Sequence, residues 1–284
     1  MNENQHTILN DALNVAPSII EETFRFTHRS LTKKYLYYYS SLETLVNGIL
    51  VENPKPNNEV CIWATRWSHM NDKLEVKSGL DLLKNGNMPS TIIGFHEQYI
   101  EKLHVICFTE NKDKLQMWNG YGKRGYGVML AFDFKELLKY YPNLLKPCIY
   151  ENTSTDKKII KKIIDCDFSG SFLELSSDSK LIASFLCMLI FLSLHKDCAY
   201  SYEKEVRLTG IGIPMLSFPV ESKYRVQDGL IIPYIPVYFP KSILKQIWLG
   251  PCLEHERNKK ILEEILKSKG FDTEILISKK PYRG

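Results

Sequence analysis

From Leu181 to His195, between Lys180 and Lys196, the chain has a run of about 15 residues with no formal charge, made mostly of Leu, Ile, Phe, Ala, Met and Cys. A segment apolar on every side must leave water completely, in a protein core or in a membrane. A membrane span needs roughly 20 such residues. The run therefore predicts a buried helix over about Asp178–Lys196, with no membrane association. Covering that helix demands a large fold around it. The 284 residues, 44% of them hydrophobic, suffice for one large core or two small ones.

The remaining pattern mixes strands and helices without regular alternation. Aromatic-rich Tyr35–Tyr39 reads as a strand, and Ser40 and Ser41 supply a helix N-cap before the 3–4 spacing of Leu42, Leu45, Val46 and Ile49. Strands are expected at Val60–Thr65, His104–Phe108, Gly127–Phe132, Leu144–Tyr150, from Glu203 onward, and at Ile247–Leu249 and Thr273–Ser278. Helices are expected near Gly79–Leu83, Thr91–Leu103, Phe134–Tyr141, Asp156–Ile164 and Glu254–Lys269. This order predicts an α+β fold: a mixed, largely antiparallel sheet core with flanking helices. Residues 1–34 read as an N-terminal helical extension and residues 35–284 as a single α+β domain carrying the site.

Seven cysteines, an odd number without a C-x-x-C pair, argue against a disulfide scaffold or zinc ribbon and predict a reducing, cytoplasmic setting. A formal net charge of +4 makes no case for nucleic acid. His69, His96, His104, His195 and His255 lack metal-ligand spacing, so no metal site is expected from them. Lys157, Lys158, Lys161 and Lys162 read as a solvated helix face.

Three segments concentrate polar chemistry. In Tyr202-Glu203-Lys204-Glu205-Val206-Arg207, strand periodicity would put Glu203, Glu205 and Arg207 on one face. Following the most apolar helix, such a strand should be central; the plainer alternative is a solvated face with an ion pair. The segment Met117–Gly127 carries glycines at 120, 122, 125 and 127 for close backbone approach, Trp118 and Tyr121 for stacking, and Lys123 and Arg124 for phosphate. It is neither a P-loop nor a dinucleotide fingerprint, and a glycine-rich hairpin with core aromatics is the alternative. The third segment, Trp63–Glu75, places Asn71 and Asp72 after a strand, where they either bind a ligand or cap a helix.

Together these motifs resemble the bacterial family known as domain of unknown function 2971. The similar pieces are Tyr37 to Leu42; Asn71, Asp72 and Glu75; Cys107 to Glu110; Met117, Trp118 and Tyr121 with Gly127, Phe132 and Asp133; Tyr202, Glu203, Glu205 and Arg207; Leu249 to Pro251; and Ser278 to Arg283. The chain departs from the family at Tyr38 and Ser40, where basic residues are common, and at Gly120 and Gly125, where histidines are.

The layout also resembles a diverged ADP-ribosyltransferase. That resemblance implies NAD as substrate, with Glu205, Glu203 and Tyr121 catalytic and Tyr37, Tyr39, Ser40, Trp118 and Arg207 binding NAD. A fixed carboxylate would steady the oxocarbenium-like ribose, and a second would orient or deprotonate the acceptor. The resemblance implies a macromolecular acceptor, protein or nucleic acid, a toxin or antiviral effector role, and a partner or antitoxin protein. Two other classes stay open: a metal-dependent nuclease using Asp72, Glu203 and Glu205, and a nucleotide-sensing or partner-binding module without turnover.

Overall fold

A computed structural model describes residues 14, 18–24, 33–50, 59–70, 75–85, 99–150, 153–165, 176–212, 221–227 and 229–281. Within these, the fold is α+β. A ten-stranded mixed sheet runs in the order β12-β11-β4-β1-β3-β2-β10-β9, with β8 added to β3 and β5 to β8. Its strands are β1 (Tyr35–Ser41), β2 (Glu59–Arg66), β3 (His104–Thr109), β4 (Gly127–Asp133), β5 (Leu145–Pro147), β8 (Glu205–Ile211), β9 (Lys223–Gln227), β10 (Leu230–Pro240), β11 (Leu244–Leu249) and β12 (Glu274–Ile277). Two short strands, β6 (Ile149–Tyr150) and β7 (His195–Lys196), pair apart from it. Neighbours in the main sheet are antiparallel except β11 and β12. The helices flanking these strands are α1 (Glu75–Asn85), α2 (Leu115–Gly120), α3 (Phe134–Tyr140), α4 (Thr153–Asp165), α5 (Ser177–Leu194) and α6 (His255–Ser268).

Strand β3 makes the topology unusual. One edge carries β8 along most of its length, from His104 opposite Ile211 to Thr109 opposite Glu205. The other edge is shared: β2 pairs near His104 and Val105, and β1 pairs at Thr109. The sheet therefore divides along β3, and a cleft opens where β1 and β2 diverge.

Side-chain alternation explains the cores. On β1, Leu36 and Tyr38 face a core with Phe108 and Phe132, while Tyr37 and Tyr39 face Met117, Trp118 and Met129. On β8, Val206 and Leu208 join the first of these cores, and Glu205, Arg207 and Thr209 point the opposite way. A third core surrounds α5. Residues 186–194 of α5 are buried without a break, as an all-round apolar helix requires. Ser176 caps its start by accepting from Ser179 N, so the helix begins before the apolar run. It has the length and composition of a membrane span, and 67% of that window is buried inside the fold.

Ser41, as expected, caps the turn Leu42–Thr44, which continues as a π-helix over Leu45–Ile49. The single strand expected over Leu144–Tyr150 is instead two short ones. They part at Cys148: β5 pairs with β8, a register that the Cys148 N–H to Glu205 O bond still follows, whereas β6 pairs with β7. Helical residues 18–23 do not stand apart: Ile19, Ile20 and Phe24 enter the α5 core, and Glu21 and Glu22 pair with Lys146 and Lys162. Most of the helix expected over Thr91–Leu103 lies outside the described residues.

Trp118 is fully buried, edge-on to Tyr39 at 5.0 Å, with its indole N–H donated to Asp113. W118A should therefore cost about 3–5 kcal/mol, the usual range for emptying a buried indole site, measured by denaturant unfolding. A loss below about 1 kcal/mol would mean that the ring faces solvent space rather than core.

Candidate functional site

The polar face of β8 meets the C-terminal end of α5. The last carbonyls of a helix lack intrahelical donors, and the dipole there favours positive charge. Arg207 answers both needs: its Nη1 donates to Ser193 O at 2.7 Å. Its other nitrogens grip Glu205, Nε to Oε1 at 2.8 Å and Nη2 to Oε2 at 3.0 Å. This two-point contact between i and i+2 follows directly from strand geometry. Strand β8 is central, with β3 on one side and β5 on the other.

Glu203 corrects the expected pattern. It does not lie on β8 but ends a 3-10 helix, Cys198–Glu203, and Lys204 turns left-handed (φ 46°) before the strand begins at Glu205. Its carboxylate nevertheless reaches the same place by another route. Lys196, the second residue of β7, donates from Nζ to Glu203 Oε2 and to Glu205 Oε2, each at 2.7 Å. Tyr121 donates its hydroxyl to Glu203 Oε1 at 2.6 Å. The Tyr202–Glu203 turn is pinned to the end of β3, because Asn111 Nδ2 donates to Tyr202 O and Glu203 O and Thr109 Oγ1 donates to Glu203 O. Two cations and two carboxylates, each at most 5% exposed, thus form one neutral cluster.

The cluster lies at the base of a cleft of about 1010 Å³. Tyr37, Tyr39 and Ser40 from β1, Tyr121 after α2, and Glu203 and Glu205 all line it, with Lys196 and Tyr200 beside the carboxylates. Lys123 and Arg124 reach its wall from a turn in which both backbones are left-handed. Trp118 and Arg207 are not in the wall. Trp118 packs beneath Tyr39, and Arg207 stands behind Glu205 with 1% exposure. The glycine-rich segment is a helix and a tight turn rather than a hairpin. Gly127 is required there because a Cβ would collide with the carbonyls of Ser40 and Gly122.

Burial alone would raise the Glu205 carboxyl, but Arg207 and Lys196 outweigh it and hold it well below its ordinary value of 4.5. Burial, reinforced by the bond to Glu203, raises the Tyr121 hydroxyl and keeps it a donor. Burial likewise raises the Cys107 thiol beside Glu205. At the far end of β3, burial lowers His104 from 6.5 to about 4.

These shifts have separable pH signatures. His104, favoured neutral when folded, contributes stability present above pH 6.5 and lost as pH falls from 6.5 towards 4. Glu205, favoured ionised, contributes stability present above pH 4.5 and lost below it. Thermal unfolding against pH should thus decline in two stages on the acid side. H104N should flatten the first stage and E205Q the second. An identical profile in either variant would mean that its group titrates normally.

Lys196 was hidden from sequence reasoning because a lysine after an apolar run looks like a helix end in water. Its signal was position: it precedes the two glutamates by only seven and nine residues. Thr109 and Asn111 were also missed as turn anchors, although Thr109 belongs to a motif already singled out. No group of three or more His, Cys, Asp or Glu that could hold a metal exists among the described residues. The Lys196 ammonium occupies the place between Glu203 and Glu205 where a bridging cation would sit. Asp72, the third ligand expected of a nuclease, lies outside the described residues.

No curated protein and no solved structure matches the chain. Residues 117–208, the stretch that carries Tyr121, Lys196, Glu203, Glu205 and Arg207, match the model of a family described as protein of unknown function (DUF2971), and over that stretch the chain is similar to that family.

Proposed function

We propose that the cleft cleaves the nicotinamide–ribose bond of NAD and transfers ADP-ribose to a macromolecule. The observation that carries this reading is the convergence of Tyr121, Glu203, Lys196 and Glu205 at the base of an aromatic-walled cleft. Its volume suits a dinucleotide-sized ligand. In the reaction, the bond between ribose C1′ and the pyridinium nitrogen breaks. Nicotinamide leaves with the electron pair and becomes neutral. An acceptor lone pair closes on C1′, and the acceptor's proton passes to a carboxylate or to water.

Glu203 is the better placed carboxylate for the ribose. Glu205 is locked by Arg207 and Lys196, whereas Glu203 holds one ammonium and one phenol. Exchanging the Tyr121 hydroxyl for a ribose hydroxyl would keep Oε1 satisfied while setting a negative charge beside the developing cation. Glu205 and Arg207 then serve to position Lys196 and, through it, Glu203. Tyr39 and Tyr121 would flank the nicotinamide. The acceptor, protein or nucleic acid, and a toxin or defence role with an inhibitory partner in the cytoplasm belong to the same proposal.

One observation favours a second reading, nucleotide binding without turnover: both oxygens of each carboxylate already have partners. Incubation of the protein and a cell extract with NAD labelled in its adenylate half, in the presence of a chelator, tests between them. Transfer of label into macromolecules supports the transferase. Saturable NAD binding with no transfer and no nicotinamide release supports the sensor. Nucleic-acid cleavage abolished by the chelator would support the nuclease instead.

A further inference from the structure

A second charged feature lines the same cleft on the side away from the carboxylates. Arg225 on β9, paired with Ile232 of β10, extends over Trp63 of β2 and Tyr234 of β10, 5.2 and 5.6 Å from the ring centroids. These two rings pack 4.8 Å apart. Arg225 Nη2 donates to Thr65 Oγ1 at 3.0 Å, and Nη1 is buried with no hydrogen-bond partner. Burial lowers the guanidinium's pKa, opposed only by Tyr38 and Tyr234. Among the described residues no carboxylate pairs with it.

A stacked guanidinium fixed by one bond, with a second donor unused and no counter-charge, is a site built for an anion. Arg presents a planar fork suited to two oxygens of one phosphate, and a buried donor left empty is costly. The Trp63 and Tyr234 rings hold the guanidinium in place. Trp63, Thr65 and Arg225 all border the cleft. From β9 through β10, β2 and β3 to β8 is four strand intervals, about 19 Å at ordinary strand spacing, less the reach of the side chains. One ligand filling the cleft is therefore elongated, anionic at one end, and meets the carboxylate cluster at the other.

We infer that Arg225, seated on Trp63 and Tyr234 and held by Thr65, is an anion subsite that binds the pyrophosphate of a nucleoside diphosphate group and thereby sets which end of the substrate reaches Glu203. The inference rests on the transferase reading only for what lies at the far end. The subsite itself requires phosphate recognition and no chemistry. It also predicts a preference for ligands carrying a diphosphate over the corresponding nucleoside.

Titration calorimetry with inorganic pyrophosphate, ADP and nicotinamide riboside tests it on the full chain as wild type, R225Q and R225K. R225Q should weaken ADP and pyrophosphate by about 10-fold or more, the loss expected on removing a charge-assisted fork, and leave nicotinamide riboside unaffected. R225K should fall between, because an ammonium keeps the charge without the fork. Should R225Q fail to give a cooperative thermal transition, R225K decides: several-fold weaker ADP binding supports the subsite and unchanged binding overturns it. No ADP or pyrophosphate binding by wild type, or equal binding by wild type and folded R225Q, overturns it outright. Arg225-dependent ADP binding by a protein that never cleaves NAD leaves the subsite standing and removes the transferase.

Discussion

Lys196→Met is expected to cost about 3–5 kcal/mol of folding stability, the range for deleting one partner of a buried ion pair. Lys196 is 3% exposed, and its ammonium contacts both Glu203 and Glu205. Without it, Glu205 keeps Arg207, but Glu203 keeps only neutral phenols, the Tyr121 hydroxyl and its neighbour Tyr202. A carboxylate buried with no cation must either admit water or take up a proton. The loss should therefore shrink when the stranded charge is removed as well. K196M/E203Q should be more stable than the sum of its two single changes, a coupling between residues in contact. Denaturant midpoints of the four proteins measure it. Additive effects, or a loss below about 1 kcal/mol for K196M, would place the ammonium among solvated pairs that contribute little.

The two glutamates should separate by the kind of damage they cause. Glu203→Gln preserves shape and can still accept from Lys196, so the fold should survive. If Glu203 steadies the ribose cation, NAD turnover should fall by about 10²-fold or more, as on removal of one stabilising group in a transition state. Glu205→Gln should act on stability first, because it leaves the buried Arg207 guanidinium without its anion. Its loss of turnover should follow from misplacing Lys196. Melting temperature and turnover per folded molecule, taken together, distinguish the two. Equal loss of stability and full specific activity in both variants would assign the whole cluster to structure alone.

Much of this arrangement was legible in the sequence, because strong local patterns dominate where they occur. The apolar run at Leu181–His195 read as a helix buried on all sides, and residues 186–194 are buried inside the fold beside the central strand β8. Glu205 and Arg207 share a face because period-two alternation is a property of the backbone. Glu203 broke that pattern because Lys204 is left-handed, and nothing in a lysine announces a positive φ. Trp118 looked like a stacking residue because its spacing from Tyr121 fits both a surface and a core. The core at Tyr39 and Met129, contributed by β1 and β4, decided between them. Lys196 and Arg225 were invisible for a different reason. Lys196 reaches Glu203 and Glu205 only because the 3-10 turn Cys198–Glu203 folds the chain back on itself, and Arg225 reaches Trp63 only through the pairing of β9 with β10 and of β10 with β2, a long-range contact with no local signature.

The most direct measurement is nicotinamide release from NAD, followed by chromatography, for folded wild type and folded E203Q, with cell extract as acceptor and a chelator present. The transferase account predicts steady release by wild type without added metal, label from the adenylate half appearing in macromolecules, and at least about 10²-fold less of both with E203Q. Release at the same rate by E203Q, or none by wild type although NAD binds, would contradict it.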